Sequence, residues 1–249
     1  KEADLVILAG VPCDFRLDYG RMINNKAKLV SINISRADMY LNRRPTRGIL
    51  ANPGSFLIEW NNAENKSNQD KWKDWHKSLS ARNNKKWEEI KSQAEMDIEY
   101  VNPLKLCMGI KPHIQDGDII VADGGDFVAT ASYILQPRSL NGWMDPGVFG
   151  TLGVGAGFIL GAKLTYPESI IWAIFGDGAF GYSLIEFDTF VRHKIPVIAI
   201  IGNDGAWSQI ARDQVDILHD PISTELAATK YHKAVEGLGG KGYFIDNQN

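Results

Sequence analysis

The sequence has 249 residues, enough for one large or two modest domains. Its 27 Lys and Arg are interleaved with 30 Asp and Glu for a net charge of −3, so no basic stripe forms and nucleic acid is excluded as a partner. Cys13 and Cys107 stand far apart and read as free thiols, and no apolar stretch reaches the roughly 18 residues that a membrane span needs.

In chain order, "LVILAG" (5–10) and "LVSINI" (29–34) are short, continuous apolar runs, the pattern of parallel strands covered on both faces. "DFRLDYGRMINNKAK" offers a short crossover between them, and "RGILANPGSFLIEW" reads as a further strand and then a helix from Pro53. Residues 1–60 thus read as the closing part of an α/β domain. A strand begins within the first few residues, with no leader before it, and "YFIDNQN" stops inside an unfinished unit, so the expectation is a piece of a longer polypeptide.

Residues 61–100 are rich in Lys, Asn, Glu and Ser and read as an exposed helical connector. Trp72, Trp75 and Leu79 recur at helical spacing, which predicts a helix lying on a neighbouring surface and no chemistry. From 101 to 249 a second α/β unit follows. "DIIVADGG" (118–125), "SIIWAIFGDG" (169–178) and "IPVIAIIGNDG" (195–205) each run from an apolar strand into glycine and acid. Three such strands separated by helix-length segments predict a parallel sheet, and in open sheets of this kind ligands sit outside the carboxyl ends.

Those ends carry the chemistry. After "GDG", Ser183 and Glu186 have capping-box spacing, which predicts a helix start there and gives Glu186 a capping role. A helix N-terminus facing the end of the 170–175 strand favours an anion such as phosphate. Asp177 ends one strand and Asn203 follows the next. If the two strands are neighbours, both side-chain oxygens reach one small ion. Mg²⁺ suits such a set: Asp177, Asn203, the Gly205 carbonyl, two phosphate oxygens and a water. Taken alone, each of these positions also fits an ordinary turn. Gly155, Gly157 and Gly161 give a variant of the dinucleotide fingerprint, but the turn-like "LNGWMDPGVFGTL" before them supplies no strand, so helix packing explains them better.

"GDG" at 176–178 followed by "GNDG" at 202–205 resembles the diphosphate-binding motif of thiamine-diphosphate enzymes, with Gly202 where the pattern has a first Asn. The resemblance implies the same metal ligands, Asp177, Asn203 and the Gly205 carbonyl, and diphosphate contacts from Gly178 and Ala179. It implies that "DGGDF" (123–127), with Gly125 and Asp126, meets the diphosphate from the other side. In "GVFGTLGVGAGFILGAKL" (147–164) it implies that the Gly150 carbonyl and the Leu152 N–H bind the aminopyrimidine while the Leu152 side chain props the cofactor into a V shape.

"DLVILAGVPCDFRLDYGR", "MDPGVFGTLGVGAGF" and "GDGAFGYSLIEFDTFVRHKIPV" resemble the acetolactate-synthase-like 2-hydroxyacyl-CoA lyases, the endoplasmic-reticulum branch of that family. That likeness implies the end of a Rossmann-like central domain (1–60), a connector (61–100) and a C-terminally incomplete thiamine-diphosphate-binding domain (101–249). The implied reaction is cleavage of a 2-hydroxy fatty acyl-CoA, as in fatty acid alpha-oxidation, to formyl-CoA and an aldehyde one carbon shorter. The activating glutamate is expected in an N-terminal domain outside the chain, so no catalytic residue is assigned here and the isolated piece is expected to be inactive. A homo-oligomer and a membrane anchor upstream of Lys1 are likewise implied. An acetolactate-type carboligase and a non-catalytic cofactor-binding or subunit-interaction module stand as alternatives. His193 and His232, in charged helical segments, read as solvated surface.

Overall fold

The computed structural model describes residues 2–63 and 72–247, and the chain divides into two compact units, Lys1–Lys77 and Ser78–Asn249. Part of the expected connector, residues 64–71, lies outside the described residues. Among the described residues no helix is long and apolar enough to cross a membrane.

In the first unit, β1 (Leu5–Ala9), β2 (Lys28–Asn33) and β3 (Arg47–Leu50) form a parallel sheet in the order β1-β2-β3. Both strands expected before residue 35 are therefore present and parallel. The crossover at 15–20 is a kinked 3-10 turn, in which Asp18 and Tyr19 take positive φ of 47° and 53°. The Arg43 guanidinium holds this region by donating to the carbonyls of Gly20, Ile23 and Asn24 at 2.6–2.8 Å. The short helix α1 (Arg36–Met39) is capped by Ser35. The helix α2 (Pro53–Asn62) starts as expected at Pro53, with the Asn52 side chain accepting from the Ser55 N–H.

The helix α3 (Lys73–Ala94) forms over the helical spacing of the connector, but its packing differs from expectation. Trp72, Trp75 and Leu79 are exposed, whereas Ile90 and Ala94, near its far end, are buried and Trp87 packs beside Ile90. Helical period alone does not say which turns find a partner.

The second unit holds β4 (Ile119–Asp123), β5 (Trp143–Met144), β6 (Ile171–Gly176) and β7 (Ile198–Gly202), all parallel, in the order β5-β4-β6-β7. The two-residue β5 inside "LNGWMDP" was read as turn; Trp143 and Met144 pair with Ile120 and Val121. The helices are α4 (Pro103–Ile110), α5 (Asp126–Ile134), α6 (Gly155–Thr165), α7 (Asp177–Ser183), α8 (Glu186–Arg192), α9 (Ser208–Leu218) and α10 (Tyr231–Gly237).

Strands β4 and β6 are buried along their whole length, so they are apolar up to Asp123 and Gly176 at their ends, and alternate residues serve two cores. Ile119, Val121, Ile171, Ala173 and Phe175 pack with α6, α7 and α8, and Ile120, Trp172 and Ile174 pack with Cys107, Ala131 and Ile134 on the other face. The first core is organised by edge-on rings: Phe175, Phe180, Phe187 and Phe190 follow one another with centroids 5.2 Å apart, and Tyr231 meets Phe180 at 5.0 Å. Both cysteines are buried free thiols, and burial pushes Cys107 up to about 12.

The strand order has a functional consequence. From β4 the chain steps outward to β5 and then returns past β4 to β6, so the topology reverses between β4 and β6. The crevice outside the carboxyl ends of two such strands is where open parallel sheets bind ligands.

Candidate functional site

At that crevice β4 runs into Gly124 and Gly125, with φ of 56° and 104°, a region that side chains disfavour. Gly176 at the end of β6 donates its N–H to the Gly124 carbonyl at 2.8 Å. The contact is so close that a Cβ on Gly125 would stand 2.7 Å from the Gly176 Cα, and a Cβ on Gly176 would stand 2.8 Å from the Gly125 Cα. The two backbones therefore touch, which leaves only main chain at the meeting point of the two loops.

Strands β6 and β7 are neighbours with Gly176 opposite Gly202, so Asp177 and Asn203 each follow a matched pair. The Asp177 side chain is 3% exposed; its Oδ1 accepts from the Gly178 N–H and its Oδ2 from the Gly205 N–H, both at 2.8 Å. Burial raises its carboxyl above the ordinary value of 3.8, with the neighbouring Asp204 charge adding to this and the two N–H groups opposing it. The Asn203 Nδ2 donates to the Thr229 carbonyl at 2.8 Å, which turns Oδ1 to the opposite side. Tyr231, two residues beyond Thr229, donates from its hydroxyl to the Asp177 carbonyl at 3.0 Å. One turn, 229–231, thus steadies both loop tips.

The Gly205 carbonyl, expected as a third metal ligand, accepts from the Leu226 N–H at 2.7 Å, which leaves it one further lone pair. The donor set of carboxylate, amide oxygen and backbone carbonyl is all hard oxygen, the chemistry that suits Mg²⁺. Asp177 is a buried acid with two N–H donors and no cation on its oxygens among the described residues. A divalent ion with its own phosphate ligands fits such a group. Among the described residues no cluster of three or more His, Cys, Asp or Glu offers an alternative metal site.

The helix start is closer to the strand than expected. Helix α7 begins at Asp177 itself, directly after Gly176, and Ser183 ends it. Ser183 Oγ is buried without a partner among the described residues, while Glu186 opens α8 and its Oε2 accepts from the Thr189 hydroxyl at 3.0 Å. The capping box is therefore absent: the chain turns helical at Asp177, and the Ser183 spacing falls on a break between two helices. Gly178 and Ala179 lie in the first turn of α7, and the Trp207 ring occupies the space where a side chain on Gly178 would go.

The 147–153 loop is fixed by a residue that the motifs did not single out. Asp123, fully buried at the end of β4, accepts from the Gly155 N–H at 2.8 Å and from the Gly153 N–H at 3.0 Å. Burial raises its carboxyl above the ordinary value and the two N–H groups oppose this. The available signal was a lone acid closing the otherwise apolar "IIVAD". Gly150 takes a left-handed φ of 58° and Leu152 lies against Gly124, so the loop is pressed onto the glycine pair. Gly155 packs tightly, since a Cβ there would meet Phe175 at 2.7 Å and Asp123 at 2.8 Å, but Gly157 and Gly161 have open space beside them. Helix packing thus accounts for one glycine of the three.

Asp126 opens α5, but its carboxylate is turned to Arg212 of α9, whose Nη2 donates to Oδ2 at 2.6 Å. His193 is exposed as expected, whereas the half-buried His232 ring lies 5.2 Å from the Phe244 ring.

Residues 123–249 match the family described as thiamine pyrophosphate enzyme, C-terminal TPP binding domain. Over the whole chain the sequence is 47% identical to mouse and 45% identical to human 2-hydroxyacyl-CoA lyase 2, covering 40% of each. It is 30% identical to the acetolactate synthase large subunit IlvG of Mycobacterium tuberculosis over 98% of this chain and 44% of that one. The fold is shared with the Rhodococcus jostii RHA1 thiamine diphosphate-dependent 4-hydroxybenzoylformate decarboxylase, with a TM-score of 0.76 over 98% of this chain and 44% of that chain, at 19% identity. The chain spans about two-fifths of the length of the curated relatives it matches. The chain belongs to the thiamine pyrophosphate enzyme family, and residues 123–249 are its C-terminal TPP binding domain.

Proposed function

We propose that this chain is the cofactor-holding part of a thiamine-diphosphate- and Mg²⁺-dependent carbon–carbon lyase acting on 2-hydroxyacyl-CoA, releasing formyl-CoA and an aldehyde one carbon shorter. The observation that supports the reading is the pairing of Gly176 with Gly202, since Asp177 and Asn203 are the next residues of those two neighbouring strands at the carboxyl end of the sheet. Identity of 45–47% over the full chain to proteins named 2-hydroxyacyl-CoA lyase 2 supports the choice of substrate.

In this reading Asp177, Asn203 and the Gly205 carbonyl hold the metal ion. Gly178 and Ala179 at the start of α7, with Gly125 and the main chain of Asp126 at the start of α5, hold the diphosphate. Gly150 and Leu152, on the loop that Asp123 pins, hold the aminopyrimidine. When bound, thiamine diphosphate supplies the electron sink that carbon–carbon bond breaking needs. The chain orients it, with the 229–231 turn steadying the loop tips that carry Asp177 and Asn203. The activating glutamate would come from an N-terminal domain of a second subunit, in a homo-oligomer. The segments 1–60, 61–100 and 101–249 would be the end of a central domain, a connector and the cofactor domain. An endoplasmic reticulum membrane location, through an upstream anchor, and a part in fatty acid alpha-oxidation complete the proposal.

The 30% identity to an acetolactate synthase favours a second reading, a carboligase acting on pyruvate. Mass-spectrometric product analysis of the full-length protein, supplied with Mg²⁺ and thiamine diphosphate, separates the two. Formyl-CoA and the shortened aldehyde from 2-hydroxyacyl-CoA are expected; acetolactate from pyruvate without formyl-CoA would overturn the proposal.

A further inference from the structure

The carboxyl end of the second sheet is acidic: Asp123, Asp126, Asp177 and Asp204 all end or follow its strands. Among the described residues one cation is paired with any of the four, Arg212, whose guanidinium reaches Asp126 across 86 residues of chain. The partners of the other three carboxylates are backbone N–H groups for Asp123 and Asp177 and the Ser208 hydroxyl for Asp204.

Asp126 occupies the first position of α5, directly after the two positive-φ glycines. A carboxylate at that position is attracted by the free N–H groups and dipole of its own helix, the same groups that would attract a phosphate. Unpaired, it is an internal rival to any anion bound there and repels it. Arg212 draws the carboxylate aside and cancels its charge. Arg212 is exposed at 60% and Asp126 half-buried at 35%, and pairs that face water in this way contribute little to folding stability. Helix α9, which carries Arg212, packs through the half-buried Ser208, Ala211 and Gln214, while the Arg212 side chain stands exposed and is held at its tip by Asp126.

Resting on the reading of this crevice as a diphosphate site, we propose that Arg212 is a charge-neutralising residue of that site, cancelling Asp126 so that the glycine loop and α5 N-terminus accept an anion. It acts through Asp126 and is a positioning residue, not a catalytic one.

Calorimetric titration of the full-length protein with thiamine diphosphate at saturating Mg²⁺ tests this. Arg212→Gln should bind about tenfold more weakly, equivalent to about 1.4 kcal/mol, with a ligand-free melting temperature close to that of the wild type. Asp126→Asn should bind at least as tightly as the wild type, and the double variant Asp126→Asn/Arg212→Gln should return to within about threefold of it, because the charge that needed cancelling is gone. Arg212→Lys, which keeps the charge, should stay within about threefold. Wild-type affinity in Arg212→Gln, or a double variant as weak as Arg212→Gln, would overturn the proposal while leaving the site reading intact. A wild-type protein that binds no thiamine diphosphate would instead bring down the site reading, and this proposal with it.

Discussion

Two buried carboxylates do different work at the end of the sheet. Asp123 is committed to backbone: it ties the Gly153 and Gly155 N–H groups to β4 and so fixes the loop carrying Gly150 and Leu152. Because burial raises its carboxyl, the folded chain holds this proton at pH values where the unfolded chain has released it. Its contribution to stability is therefore greatest below the ordinary value of 3.8 and declines as pH rises through the raised folded value. Asp123→Asn does not titrate, so the stability of the wild type relative to this variant should fall from about pH 4 upward, as read from denaturant midpoints across that range; a flat difference would contradict the assignment. Asp177 also meets two backbone N–H groups, and what sets it apart is its main-chain carbonyl, which takes the Tyr231 hydroxyl. Tyr231→Phe removes that hydroxyl and keeps the ring against Phe180, so a loss of about 0.5–1.5 kcal/mol is expected from the same denaturant measurement.

At the scale of elements, β4 and β6 are held by their two faces and the loops by the absence of side chains. Phe180 touches Phe175, Phe187 and Tyr231 edge-on and is fully buried, so Phe180→Ala should cost about 3–5 kcal/mol in urea unfolding. Helix α6 gives a sharper contrast. Gly155→Ala drives a methyl into Phe175 and Asp123 and should cost about 1–3 kcal/mol. Gly157→Ala meets open space inside a helix and should stabilise by about 0.4–1 kcal/mol. Equal effects at the two positions would contradict the view that only Gly155 is a packing glycine. Every strand but the two-residue β5 was legible, because a covered strand leaves a short continuous apolar run, and the motif residues because glycine and acid stand at strand ends. The helix start was misread because Ser183 and Glu186 have the right spacing while the turn that matters is made by Gly176 and Asp177. The exposure of Trp72 and Trp75 was not legible, since period reports a helix but not which face finds a partner.

For the whole molecule, the decisive feature is the strand order β5-β4-β6-β7, which opens a crevice between β4 and β6 and lays the loops after β4, β6 and β7 around one end of the sheet. The individual tips could be read from sequence; the contacts by which Asp123, Trp207 and the 229–231 turn support them could not, because they join segments 26 to 54 residues apart in the chain. The proposed function requires one divalent ion, held by Asp177 and Asn203, to fasten a diphosphate to this end of the sheet. Calorimetric titration of the full-length protein with thiamine diphosphate, with and without Mg²⁺, decides whether it does. Saturable binding that requires Mg²⁺ and disappears in Asp177→Ala is the predicted result; binding of equal strength without a divalent ion, or unchanged in Asp177→Ala, would contradict it.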